Sequence, residues 1–140
     1  MSQVTINRVN GTTFVAKGPS NHWVPMDASP KVGGNDAGSR PMEMILFGLG
    51  GCTAMDVETI LVKMKVPVER FEVEIDSERA EEHPKVYTKI RMTYHFWGKD
   101  LPLDRLKRAV ELSETKYCSV SAMLRGSVDI QTFVENHNTA

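Results

Sequence analysis

The sequence predicts an α+β domain with element order βββ-α-ββ-αα-β. Two observations lead there. Segments that alternate apolar and polar residues, or are crowded with β-branched and aromatic ones, come as neighbours separated by turn signals. Segments with helical periodicity come in blocks instead of alternating one by one with strands, which argues against a doubly wound parallel sheet. A chain of 140 residues fits a single domain, 1–140, large enough to bury a core without help from disulfides or metals.

The elements follow in order. "VTINRV" and "TTFVAKG" flank Asn10-Gly11, a dipeptide in which both residues tolerate positive φ, so a hairpin opens the chain. "HWVPMD" reads as a third short strand, and "ASPKVGGNDAGS" as a loop, since its Gly, Ser, Pro and Asp residues cannot pack by themselves. Ser39 and Pro41 suit a helix entry. From there Ile45, Leu46, Leu49, Thr53, Val57, Ile60, Leu61 and Met64 keep a 3.6-residue period until Pro67 stops it. "FEVEIDSERA" alternates strictly from Phe71 to Ile75 and should pair with "KVYTKIRMTYHFW" across "EEHP". "PLDRLKRAVELSETKY" is an amphipathic surface helix with Leu103, Leu106, Val110 and Ser113 on one face. "CSVSAMLRG" gives a short helix from near Cys118 to Gly126, and "VDIQTFVE" a last strand.

The long helix carries no charge between Met44 and Met55, a pattern expected of a helix buried all round. One modest sheet cannot cover it, so a second copy should, and an obligate homodimer is expected. Three glycines, Gly48, Gly50 and Gly51, sit in this helix although each costs ~1 kcal/mol relative to alanine. They are expected to thin it so that another helix, bearing Cys118 or belonging to the partner, can come close.

Charge excludes other classes. Lys plus Arg number 17 against 18 acidic residues, so there is no basic footprint for nucleic acid or an anionic membrane. The N-terminal residues lack the apolar core of a signal peptide, and the uncharged run Met44–Met55 is shorter than the ~20 residues of a bilayer span. A cytoplasmic protein is expected. In that compartment two cysteines are no structural framework, and a pair that forms would be transient and catalytic or redox-sensing.

Cys52 and Cys118 are the residues with chemistry to offer. Each lies among small neighbours in a helical setting, and from the residues alone they are either a cycling thiol pair or two small hydrophobes in the core, the commoner fate. Cys118 falls at a predicted helix N-terminus, where the dipole favours a thiolate. There is no CxxC or HxxxH spacing for zinc, and His22, His83, His95 and His137 are scattered. His95 could activate a cysteine only without any accompanying signature.

"SRPMEMILFGLGGCTAMDV" resembles the segment carrying the peroxidatic thiol of the OsmC/Ohr family, Pro followed by an acid, apolar and small residues and then Cys; "KYCSVSAML" resembles the segment with the family's second cysteine. The element order is similar too, and the YhfA-like branch is the nearest match. The resemblance implies an intertwined homodimer with central helices packed on β-sheets and active sites at the subunit interface. It implies a thiol peroxidase acting on organic hydroperoxides without metal, haem or flavin, Cys52 forming the sulfenic acid, Cys118 condensing with it into a disulfide, and a dithiol, lipoyl-type in the Ohr branch, as reductant.

The chain departs from the family at the groups that hold the thiolate. The family glutamate follows the Pro of the first motif, where this chain has Met42, and Glu43 comes one residue later, ~100° further round a helix. The family arginine comes from the N-terminal strands, which offer Lys17 instead; Arg40 is the nearest substitute, with Arg79 behind it, and a loop salt bridge is the plainer role for Arg40. Ser119 stands where the peroxidases often have Pro. Two readings therefore stand: a thiol peroxidase, or a dimeric small-molecule-binding or redox-sensing protein of the same fold with weak turnover.

Overall fold

The computed structural model describes residues 2–139. The chain divides into two compact units, Met1–Phe47 and Gly48–Ala140, and the boundary falls inside the long helix.

The first unit is an antiparallel sheet in the order β1 (Thr5–Asn10), β2 (Thr13–Lys17), β3 (Trp23–Met26), followed by a 3-10 turn at Pro30–Val32. The opening hairpin turns where the sequence places it, with Gly11 at φ 55°. The loop after β3 is ordered around Asp27, only 2% exposed. Its carboxylate accepts hydrogen bonds from the Thr12 and Thr13 hydroxyls, each at 2.7 Å, and from the backbone N–H of Ala28 (2.7 Å), Asn35 (3.2 Å) and Ala37 (3.1 Å). A segment too polar to pack is thus tied to the β1–β2 turn by one anion. The same unit has an apolar groove of about 630 Å³ lined by Ile6, Phe14, Met26, Val32 and Pro41, with Arg40 at its edge.

α1 (Pro41–Lys63) begins at the expected proline. It ends before Pro67 acts: Lys65 is left-handed at φ 58°, and the Val66 and Lys65 N–H groups bond to the carbonyls of Leu61 and Val62. This is a Schellman closure with lysine in the position glycine usually takes.

The second unit holds the rest of α1 and a sheet in the order β4 (Val68–Arg79), β5 (Tyr87–Gly98), β6 (Asp129–Asn138). β4 and β5 pair antiparallel from Val68↔Gly98 to Arg79↔Tyr87, whereas β6 runs parallel to β5. A parallel pair needs a long crossover; α2 (Leu103–Leu112), a π turn (Ser113–Tyr117) and α3 (Ser119–Leu124) supply it. The inward positions of β5, Ile90, Met92, Tyr94 and Phe96, are at most 1% exposed, each apolar side chain contributing ~1.5–3 kcal/mol by burial. Phe71 of β4 stacks on Phe96 at 4.6 Å. α2 adds Leu106, Ala109 and Val110 to this core.

Within one chain α1 is not buried on all sides. α1 buries one stripe, Leu49, Thr53, Val57 and Leu61, spaced four residues apart. Phe47, Met55 and Val62 are 54%, 73% and 64% exposed. An uncharged stretch records how apolar a helix is, not how much of it one chain buries. By length and composition alone α1 could cross a bilayer, although Glu43, Asp56, Glu58 and Lys63 punctuate its surface. Within one chain no second helix meets these glycines. A Cβ on Gly50 would meet Ile75 Cδ1 at 3.0 Å, a β4 side chain and not a helix, while Cβ atoms on Gly48 and Gly51 would face open space.

The hydrogen bonds from Thr13 and Thr12 hold the Asp27 carboxyl well below the usual carboxylate range, outweighing the opposing effect of burial. A native pKa below the unfolded ~3.9 adds stability that is complete above that value and disappears as pH falls through the lower native one. Asp27→Asn should therefore unfold at lower denaturant concentration than the parent at pH 7, and the gap should close progressively in acid, as followed by urea titration across the pH range.

Candidate functional site

The site is assembled from two stretches far apart in sequence, with Cys52 and Cys118 separated by 66 positions. On α1, Cys52 and Asp56 are separated by four residues and so share a face. From the other stretch comes Cys118, the residue that caps the N-terminus of α3. The Cys52 and Cys118 sulfurs and an Asp56 carboxylate oxygen all lie within 4.8 Å of one another. Both cysteines are free; Cys52 is half-buried and Cys118 buried at 2% exposure.

What brings Cys118 to α1 is the π turn. Its wider coil closes with the Cys118 N–H donating to the Ser113 carbonyl at 2.7 Å, five residues back. The Ser113 hydroxyl, fully buried, donates to Asp56 Oδ2 at 3.0 Å and lies 3.4 Å from the Thr53 carbonyl. One residue therefore ties both chain segments of the site together. Single π turns of this kind are often found at functional sites.

Behind the sulfurs lies a polar layer. Glu114 Oε1 accepts from the Tyr94 hydroxyl at 3.2 Å and from the Thr132 hydroxyl at 2.5 Å. The Arg125 guanidinium donates to the Glu114 carbonyl and to the Ser121 hydroxyl. Burial raises the Tyr94 phenol above its ordinary range; the Thr53 hydroxyl opposes this, and the charges of Glu114 and Cys118 reinforce it. The phenol stays a proton donor. Beside Asp56, a groove of about 490 Å³ is lined by Ile60, Met64, Leu112 and Tyr117, with Lys63 adding one cation.

Burial dominates the electrostatics of the Cys118 thiol. Burial pushes the Cys118 thiol up to about 11; the hydrogen bond with Cys52 and the charge of an ionised Cys52 act in the same direction, and the N–H groups of Ser121 and Val120 act against them. This corrects the expectation that a helix N-terminus would favour a Cys118 thiolate. The Ser121 N–H does reach the sulfur at 3.3 Å, but α3 is six residues long and desolvation outweighs its contribution.

Several other residues named from the sequence have local partners. Arg40 bonds to Asp36 at 2.7 Å and to the Gly38 carbonyl at 3.0 Å, the plainer loop role, and belongs to the first unit together with Glu43, exposed in the first turn of α1. Arg79 donates to the Lys85 carbonyl. His95 lies on the outer face of β5, Nδ1 2.9 Å from His137 Nε2 and stacked with Trp97. Asp56, Tyr94 and Glu114 were not singled out in the sequence, and Ser113 only as a member of one helix face. Asp56, four residues after Cys52, could have been found by helical spacing; the others are joined to the site only by the fold.

The chain matches the family profile described as "OsmC-like protein" over residues 33–133, a span that includes both cysteines and parts of both units. It is 41% identical over 128 residues to Protein YhfA of Escherichia coli (strain K12), covering 91% of this chain and 92% of that one. Among solved structures, a hypothetical protein from Aquifex aeolicus VF5 is 28% identical with TM-score 0.87, covering 100% of this chain and 98% of that one. An organic hydroperoxide resistance protein OsmC from Legionella pneumophila shares the fold at TM-score 0.71 and 14% identity, with 96% of each chain covered. The α+β element order, the matched profile and the YhfA relationship agree: this chain belongs to the OsmC-like family.

Proposed function

We propose that this protein is a cytoplasmic, homodimeric thiol peroxidase that reduces organic hydroperoxides, with Cys52 as the attacking thiol and Cys118 as the resolving one. The observation that carries the reading is a pair of adjacent free sulfurs of unequal burial beside a carboxylate. Cys52 is the more accessible, and burial keeps the Cys118 thiol protonated.

In the first step the Cys52 thiolate attacks the terminal oxygen of ROOH; the O–O bond breaks, Cys52 becomes a sulfenic acid and the alkoxide takes a proton to leave as ROH. In the second, Cys118 loses its proton, its sulfur attacks Cys52, and hydroxide leaves as water, forming the disulfide. Sulfurs already within 4.8 Å need to move less than ~3 Å to reach the ~2.05 Å bond. Asp56 is the proton acceptor in this scheme, held by Ser113. The groove lined by Ile60, Met64, Leu112 and Tyr117 suits the alkyl part of the peroxide. A dithiol of lipoyl type then reduces the disulfide, itself becoming oxidised. Arg40 and Glu43 belong to the proposal as stand-ins for the family's arginine–glutamate pair, Arg40 having to leave Asp36 to serve a thiolate.

A homodimer accounts for the exposed apolar residues of α1, since burying Phe47, Met55 and Val62 is worth ~1.5–3 kcal/mol each. One observation favours a second reading, a small-molecule-binding or redox-sensing protein: the apolar groove of about 630 Å³ in the first unit.

Counting free thiols in reduced protein after a pulse of organic hydroperoxide separates the two readings, with two lost per chain within seconds for the enzyme and none for the binder. Cys52→Ser should stop peroxide consumption. Cys118→Ser should consume about one equivalent and then stall with Cys52 as sulfenic or sulfinic acid by mass spectrometry. Asp56→Asn should slow the reaction by ~100-fold or more. An oxidised Cys52→Ser protein beside an unmodified Cys118→Ser protein would reverse the roles.

Light scattering should return twice the 15.7 kDa chain mass at micromolar concentration. A value of one chain mass would remove the dimer.

A further inference from the structure

We propose that the reduced site binds a thiophilic divalent cation of the zinc type through Cys52, Cys118 and Asp56, and that oxidation of the thiols expels it. This rests on the geometry of three donors and not on peroxide turnover. Two sulfurs and a carboxylate oxygen within 4.8 Å of one another are the donor set of a three-ligand zinc site with a fourth position left for water. Tetrahedral zinc with Zn–S bonds of ~2.3 Å and Zn–O bonds of ~2.1 Å sets its ligand atoms ~3.5–3.8 Å apart. The three groups therefore need to draw in by about 1 Å, a change of rotamer and not of fold. Two thiolates disfavour magnesium and calcium, which take oxygen ligands.

The surroundings are those of oriented ligands. The Ser113 hydroxyl holds Asp56 through Oδ2 at 3.0 Å, and the Ser121 N–H points at the Cys118 sulfur at 3.3 Å, the outer bonds that fix ligand direction in metal sites. Access exists, because Cys52 and Asp56 are only partly buried and Asp56 lines the open groove along α1. The spacing hides the site from sequence inspection: two donors are one helical turn apart and the third lies on another element.

The chemistry balances simply. Each bound ion displaces two thiol protons to solvent. Coordination lowers the nucleophilicity of the thiolate pair without abolishing it. When a hydroperoxide oxidises the pair to a disulfide, being reduced to alcohol and water with uptake of two protons, both sulfur ligands are lost and the ion is released.

Cobalt(II) is the probe, added to reduced full-length protein without oxygen or hydroperoxide, so that the outcome is independent of any peroxidase activity. One ion per chain should bind with thiolate-to-cobalt charge-transfer absorption and the ligand-field bands of a tetrahedral ion, both abolished by excess zinc. Cys52→Ser and Cys118→Ser should each lose about half or more of the charge-transfer intensity, and Asp56→Asn should keep it but bind ~10–100-fold more weakly. Zinc should also mask both thiols of the unsubstituted protein from a thiol reagent, and a chelator should restore them, a readout that needs no variant to fold. Absence of charge-transfer absorption at saturating cobalt, a band unchanged by Cys118→Ser, or thiols equally reactive with and without zinc would each overturn the proposal.

Discussion

Ser113 is the residue on which the site depends. Its carbonyl accepts the N–H of Cys118 and its hydroxyl donates to Asp56, so the position of one sulfur and the orientation of the carboxylate beside the other are set by a single buried side chain and its own peptide group. A buried hydroxyl left without a partner would cost ~1–3 kcal/mol. The bond to Asp56 removes that cost and makes α1 and the crossover one structural object around the thiols. The rest of the second unit serves this arrangement: β5 supplies the apolar floor and the Tyr94 hydroxyl, and β6 brings Thr132 to Glu114.

Much of this was legible before any coordinates. Element order and the first hairpin follow from short-range patterns, Asn10-Gly11 and the strict alternation of β4, which need no tertiary information. The neighbouring position of Cys52 and Cys118 came from resemblance of two motifs, not from periodicity. The parts that escaped have physical reasons. The end of α1 is set by Lys65 in a left-handed conformation, which residue identity does not advertise. The π turn looks, in sequence, like the last turn of an ordinary amphipathic helix. Ser113 was placed on the buried face of that helix but gave no sign of its partner on α1.

Burial and dipole compete at Cys118, and burial prevails. The contrast between the two thiols comes from where the fold leaves solvent, since both are small residues in helical surroundings. The same asymmetry suits either fate of the pair. A protected thiol beside an accessible one can resolve a sulfenic acid, and two sulfurs beside an anchored carboxylate can close round a cation. Which occurs depends on what reaches the groove first.

The π turn has a bearing on how the site could be lost. Its five-residue closure holds one residue more per turn than an α-helix, and that residue sets which way the chain emerges into Cys118. Were the same five residues, Ser113 to Tyr117, to wind as regular α-helix, everything beyond them would rotate by up to ~100°. Both cysteines would still be encoded and both flanking motifs would still be readable, yet the second sulfur would face a different direction. Relatives that keep the two cysteines but wind this stretch as regular helix are therefore not equivalent at the site, and aligning the cysteines alone would conceal it.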